Sequence, residues 1–144
     1  DNVSIFFSNN KNEFYSVNSK TGTTNWINKV NSNISPILSG NFIFTVSNEG
    51  YLYVLDKSKG NIIRITDLYK NYKIKKRKNV MPTGFVIGNT KLYLTNSDGK
   101  MIIVDLNNGN VIKEQQVSGN LISKPLIFNN SLYLIRNGSI DKYN

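Results

Sequence analysis

The chain contains neither cysteine nor histidine. Without cysteine there is no disulfide framework, no thiolate metal site and no redox dithiol. Without histidine the usual general base and the commonest metal ligand are missing, and triad chemistry has no imidazole to work with. Proline occurs three times and tryptophan once in 144 residues. No apolar run approaches the roughly 18 residues of a membrane-spanning helix. The glycines stand singly at turns, so no glycine-rich loop cradles a phosphate between strand and helix. Asp1-Asn2-Val3 leads straight into a strand pattern, and any targeting segment is expected to lie upstream or to have been removed. Acidic residues are also few, 9 against 18 basic, for a net charge of +9. That excess is local. Lys70, Lys73, Lys75, Lys76, Arg77 and Lys78 account for six of the cations, and the other 12 face the 9 acids in ordinary balance.

What is present is a repeat. Gly50-Tyr51-Leu52-Tyr53-Val54-Leu55-Asp56-Lys57-Ser58-Lys59-Gly60 reads as a short apolar strand and a tight turn opened by Asp56 and closed by Gly60. The pattern returns from Gly99 to Gly109 with Asp105 opening the turn, and more loosely from Asn12 to Gly22 with Asn18 in that place. A shortened copy starts at Gly138 and reaches Asn144, the position that would open its turn. An Asx residue at the start of a turn accepts hydrogen bonds from the backbone ahead of it, and glycine supplies the positive φ that ends it. Positive φ is therefore expected at Gly60 and Gly109. The structural role also explains Asp56 and Asp105 better than metal ligation, because the segment from Asp105 to Gly109 does not keep calcium-loop spacing.

Strand signals surround each copy. Prolines 36, 82 and 125 mark the same place in three consecutive units, at spacings of 46 and 43 residues. Strands are expected at Val3–Ser8, Phe14–Val17, Thr24–Val30, Ser35–Leu38, Phe42–Val46, Tyr51–Leu55, Asn61–Ile65, Pro82–Ile87, Leu92–Thr95, Met101–Val104, Val111–Val117, Pro125–Phe128, Leu132–Ile135 and Ile140–Tyr143. Inner strands such as Phe42-Ile43-Phe44 and Met101-Ile102-Ile103-Val104 are apolar on both faces, as in sheets covered on two sides. Four strands in about 30 residues, joined by three tight reversals and repeated every 40–50 residues, make the meander of a propeller blade. With blade strands lettered A to D, the chain reads BCD, ABCD, ABCD, ABC. The expected fold is all-β, about three and a half four-stranded antiparallel blades of a β-propeller. The repeat units run over about 1–33, 34–68, 80–118 and 123–144 of a single segment 1–144, with a basic insertion at 69–79.

The glycine-led strand, Tyr53-Val54-Leu55-Asp56, Thr21-Gly22 and Trp26 together resemble the PQQ-like repeat family of β-propellers. In the second and third units the tryptophan position is taken by Arg64 and Lys113, which weakens the family's usual blade docking there. Within the family, the stretch from Gly109 onward, with Val111–Val117, Pro125, Ser131–Ile135 and Asn137–Asn144, is similar to the last blade of the outer-membrane assembly lipoproteins. The resemblance implies an eight-bladed ring and a non-enzymatic scaffold on the periplasmic face of the bacterial outer membrane. It further implies a lipid anchor outside this chain and an outer-membrane barrel-assembly protein as partner. No catalytic, cofactor-binding or metal-binding residue is expected, nor a cofactor, a nucleic acid or a small-molecule substrate. The alternative within the family is a quinoprotein dehydrogenase, which holds its quinone near the ring axis with calcium, a carboxylate, a tryptophan floor and often vicinal cysteines. None of the nine acids here falls in a motif that maps to such a site. A generic interaction propeller of the cell envelope is the third reading.

One segment is not demanded by the fold: Tyr69, Lys70, Tyr72, Lys73, Lys75, Lys76, Arg77 and Lys78. Aromatics interleaved with cations stack and neutralise in nucleic-acid binding. Charge runs are more often a solvated face. A docking loop for an acidic protein surface or an anionic membrane lies between these readings, and the eight residues are taken as the candidate partner contact.

Overall fold

The computed structural model describes residues 3–119 and 121–143. Asp1 and Asn2, expected to lead into the first strand, and Asn144, expected to open a fourth turn, lie outside them, as does Asn120. The chain divides into two compact units, residues 1–67 and 68–144.

In the first unit, β1 (Ser4–Ser8), β2 (Phe14–Asn18) and β3 (Thr24–Asn28) form a three-stranded sheet in chain order. A four-stranded sheet follows from β4 (Ile37–Ser39), β5 (Phe42–Val46), β6 (Tyr51–Asp56) and β7 (Ile62–Asp67). The second unit opens with one helical turn, α1 (Ile74–Arg77). It continues with the four-stranded sheet β8 (Pro82–Gly88), β9 (Lys91–Asn96), β10 (Lys100–Asp105) and β11 (Val111–Gln116). The three-stranded sheet β12 (Leu126–Phe128), β13 (Ser131–Arg136) and β14 (Ser139–Tyr143) completes it. Each strand pairs antiparallel with its sequence neighbour. The three-four-four-three strand count is the one the repeat predicts.

Some boundaries differ. Pairing starts at Ile37 and Leu126, one residue after Pro36 and Pro125, whereas Pro82 is itself the first paired residue of β8. A proline has no N–H to give a ladder, so it stands at a strand's entrance. β3 ends at Asn28, two residues short of Val30, which is instead buried as a core residue beyond the strand.

The Asx turns have the expected chemistry. Asp56 Oδ1 accepts the backbone N–H groups of Ser58 (2.9 Å) and Lys59 (2.7 Å), and Gly60 N–H donates to the Asp56 carbonyl. Asn18 Oδ1 accepts from Lys20 and Thr21, and Asp105 Oδ1 from Asn107, with Gly22 and Gly109 closing the two turns. Gly60 (φ 74°) and Gly109 (φ 79°) adopt the expected positive φ. The hydrogen bonds to Asp56, that from the Ser58 hydroxyl first, hold its carboxyl below the usual range. The two-residue reversals Asn89-Thr90, Asn129-Asn130 and Asn137-Gly138 also have positive φ throughout, as type I′ hairpins require.

The core of each unit lies between its two sheets. In the first, Phe14, Val30, Ile43 and Leu55 are buried, with Phe6, Trp26 and Tyr53 packed against them. In the second, Met101, Val117, Ile122, Leu132 and Leu134 are buried, flanked by Val86, Tyr93, Ile103, Ile127 and Tyr143. Burying a side chain of this size stabilises by roughly 1.5–3 kcal/mol. In β5 the consecutive residues Ile43, Phe44, Thr45 and Val46 are all buried, so the unalternating sequence matches unalternating burial.

Candidate functional site

The segment between β7 and β8 folds back on its own unit through Tyr69. This side chain has no exposed surface, and its hydroxyl donates to Asn96 Oδ1 at 2.6 Å. The Tyr72 ring stacks on it, centroids 4.9 Å apart and planes within 4°. Tyr72 in turn donates its hydroxyl to Glu114 Oε1 (3.1 Å), and Lys76 Nζ lies 4.4 Å from its ring centroid. Lys100 Nζ lies 5.4 Å from the same ring and pairs with Glu114. Lys76 Nζ also reaches Asp98 Oδ2 at 3.0 Å. Burial, then the Asp98 charge, pushes the Tyr69 phenol well above its ordinary value; burial, then Glu114, does the same to Tyr72. The hydrogen bond to Glu114 raises Lys100.

The eight residues of the candidate contact therefore do not form one surface. Tyr69 is a correction: it is a core residue of the second unit and has nothing to offer a partner. Lys76, Arg77 and Tyr72 are half-buried, and Tyr72 and Lys76 are engaged with Tyr69, Asp98 and Glu114. Lys70, Lys73, Lys75 and Lys78 are exposed. The reason is geometric. One helical turn from Ile74 to Arg77 directs Ile74, Lys75 and, at i+4, Lys78 outward, and Lys76 and Arg77 inward. Asn96, Asp98, Lys100 and Glu114, which hold the segment, carried no signal in the sequence because each is 14 or more residues away from its partner on other elements.

Carboxylates elsewhere have structural partners. Glu13 accepts from Asn9 Nδ2, Tyr15 and Lys29, Glu49 from Asn31 Nδ2, and Asp141 pairs with Arg136. Among the described residues no group of three or more His, Cys, Asp or Glu side chains converges as metal ligands would. Nor is any helix among them long and apolar enough to cross a membrane.

Two apolar faces are open. The fourth sheet exposes Leu126, Phe128, Ile135 and Ile140 along a groove of about 390 Å³. In the first unit Ile5, Phe7, Pro36 and Leu38 line a groove of about 820 Å³. Trp26 shows how such a face is covered in this fold. Its ring packs on Phe14 and Phe6 of its own sheet, while its Nε1 donates to the Lys57 carbonyl of the next at 3.2 Å. Trp26, Arg64 and Lys113 occupy equivalent register sites, each opposite the last residue before a bulge, Ser16, Val54 and Ile103.

Strand-turn blades with an Asx turn, a closing glycine and a tryptophan docked on the neighbouring turn give this chain the blade architecture of a β-propeller, similar to that of proteins with PQQ-like repeats. Residues 1–66 match the family model described as outer membrane protein assembly factor BamB. The crystal structure of BamB from Moraxella catarrhalis is similar over 99% of this chain and 40% of its own, with a TM-score of 0.77 and 14% identity. The computationally designed Ika4 protein is similar over 99% of this chain and 86% of its own (TM-score 0.76, 10% identity). The quinohemoprotein alcohol dehydrogenase ADHIIG from Pseudomonas putida HK5 is similar over 73% of this chain and 17% of its own (TM-score 0.57, 16% identity). The chain thus spans about 40% of the length of the BamB structure it resembles. No curated protein matches its sequence significantly.

Proposed function

We propose that this chain is part of a BamB-like scaffold of the outer-membrane β-barrel assembly machinery, without catalytic activity of its own. In this reading the whole protein is an eight-bladed propeller held at the periplasmic face of the outer membrane by a lipid anchor outside this chain. It binds BamA and assists the insertion of outer-membrane proteins. The observation that carries the reading is the likeness to BamB over 99% of the chain, with the family model matching residues 1–66. Fourteen strands at 40% coverage suit a ring of about eight four-stranded blades.

The side chains support a scaffold more than an enzyme. Carboxylates that a quinone or calcium site would need are committed here to turns and ion pairs, Asp56 and Asp105 to backbone N–H groups and Asp98, Glu114 and Asp141 to cations. Further blades would cover the two open apolar faces by the packing that joins the sheets within each unit. What remains for partners is the loops and the outer strand edges, such as those of β7 and β11, which accept another chain by strand addition. The test is membrane fractionation of cells that produce the full-length protein, followed by co-purification with BamA. Recovery from the outer membrane together with BamA supports the proposal, and recovery free of both overturns it.

A further inference from the structure

We propose that the segment from Lys70 to Lys78 is a contact for an anionic lipid surface, with Ile74 entering the interfacial zone and Lys70, Lys73, Lys75 and Lys78 meeting the phosphate headgroups. Ile74 is 78% exposed, the most exposed large apolar side chain among the described residues. It stands on a single helical turn beside Lys73, Lys75 and Lys78, all exposed, and no acid occurs between Leu68 and Ser97. An isolated surface charge run needs no apolar tip. An apolar side chain ringed by cations is the arrangement that binds a headgroup layer, where hydrophobic and electrostatic attraction add.

The rest of the segment explains why the tip projects. Tyr69 is fully buried, Tyr72 is stacked on it, and Lys76 is tied to Asp98 and the Tyr72 ring, so one side of the turn is fixed to the sheet and the other is left free. The same contacts argue against nucleic acid. The rings on which bases would stack are turned inward and already engaged, leaving cations without an aromatic platform. An acidic protein surface would be met by the lysines alone and would give Ile74 no role.

This inference does not depend on the assembly reading, because lipid vesicles contain no assembly protein. The experiment is co-flotation of the full-length protein, produced without any lipid modification, with vesicles of phosphatidylcholine alone or with about one third phosphatidylglycerol, at low and high salt. Binding is expected only to the anionic vesicles and is expected to fall as salt rises. A cation near an anionic surface is worth about fivefold in affinity. The combined variant Lys73→Gln, Lys75→Gln, Lys78→Gln is therefore expected to bind about a hundredfold more weakly. Ile74→Ser, which leaves the charge intact, is expected to weaken binding several-fold. Lys91→Gln with Lys113→Gln and Lys142→Gln, exposed cations on β9, β11 and β14, removes the same three charges, is the control for net charge and is expected to bind nearly as well as the parent. No preference for anionic vesicles overturns the proposal. So does an Ile74→Ser variant of unchanged affinity, which points to an acidic protein instead, or a control that loses as much as the triple variant. Circular dichroism of each variant checks that the fold is kept.

Discussion

Trp26 lies so close to Gly60 that no side chain fits between them: a Cβ at residue 60 would fall 2.5 Å from Trp26 Cδ2. The indole Nε1 donates to the Lys57 carbonyl, and Asn28 Nδ2 donates to the carbonyl of Gly60 itself. The β6–β7 turn of the second sheet is thus clasped by β3 of the first. Glycine is required there twice over, by a φ of 74° and by the ring.

Gly60→Ala is expected to destabilise the first unit by about 2–4 kcal/mol, combining left-handed strain with overpacking. Gly22→Ala, at a similar φ of 73° but with nothing within 4 Å, should cost only about 1 kcal/mol. Urea unfolding followed by the fluorescence of Trp26, the sole tryptophan, measures both. Equal losses would contradict the clasp.

Tyr69→Phe removes the donor to Asn96 Oδ1, an acceptor on a side chain with no exposed surface, and is expected to cost about 1–3 kcal/mol. The cost should show in thermal unfolding, with faster hydrogen exchange across residues 69–80. A neutral Tyr69→Phe would mean that the segment is held by the Tyr72 stack and Lys76 alone.

Thr90 is β-branched yet has a φ of 60°, where such side chains are strained. The corresponding turn of the fourth sheet uses Asn129-Asn130. Thr90→Asn is expected to stabilise the second unit by about 1 kcal/mol, read as a higher urea midpoint. A lower midpoint would show that the Thr90 hydroxyl contact to the Asn89 carbonyl matters more than the strain.

The Glu13 carboxyl is lowered from 4.5 to about 2 by hydrogen bonds from Asn9, Tyr15 and Lys29, in that order. Because the folded value lies below the unfolded one, its stabilisation is complete above pH 4.5 and is lost as pH falls from there through about 2. Glu13→Gln is expected to flatten the acid dependence of first-unit stability across that window. An unchanged slope would assign the dependence to other carboxylates.

The repeat was legible because its signals are local. Asp56, Asp105 and Asn18 open turns through backbone atoms two or three residues ahead, and the glycines that follow need only their own φ. Strand order followed from short reversals. The fate of the basic segment was not legible, since aromatics interleaved with lysines look alike whether they face solvent or fold inward. What decided it was Asn96, Asp98 and Glu114, brought to the segment by the register of β9, β10 and β11. Sequence spacing also placed Trp26, Arg64 and Lys113 in one structural site, but only the clasp on Gly60 shows what that site does.

The scaffold reading is tested most directly by titrating the full-length protein into the periplasmic domains of BamA in a calorimeter. Saturable binding, unchanged by a calcium chelator and unaccompanied by alcohol oxidation when quinone and calcium are supplied, is the expected result. Absence of binding, together with quinone-dependent oxidation, would contradict it and favour the dehydrogenase.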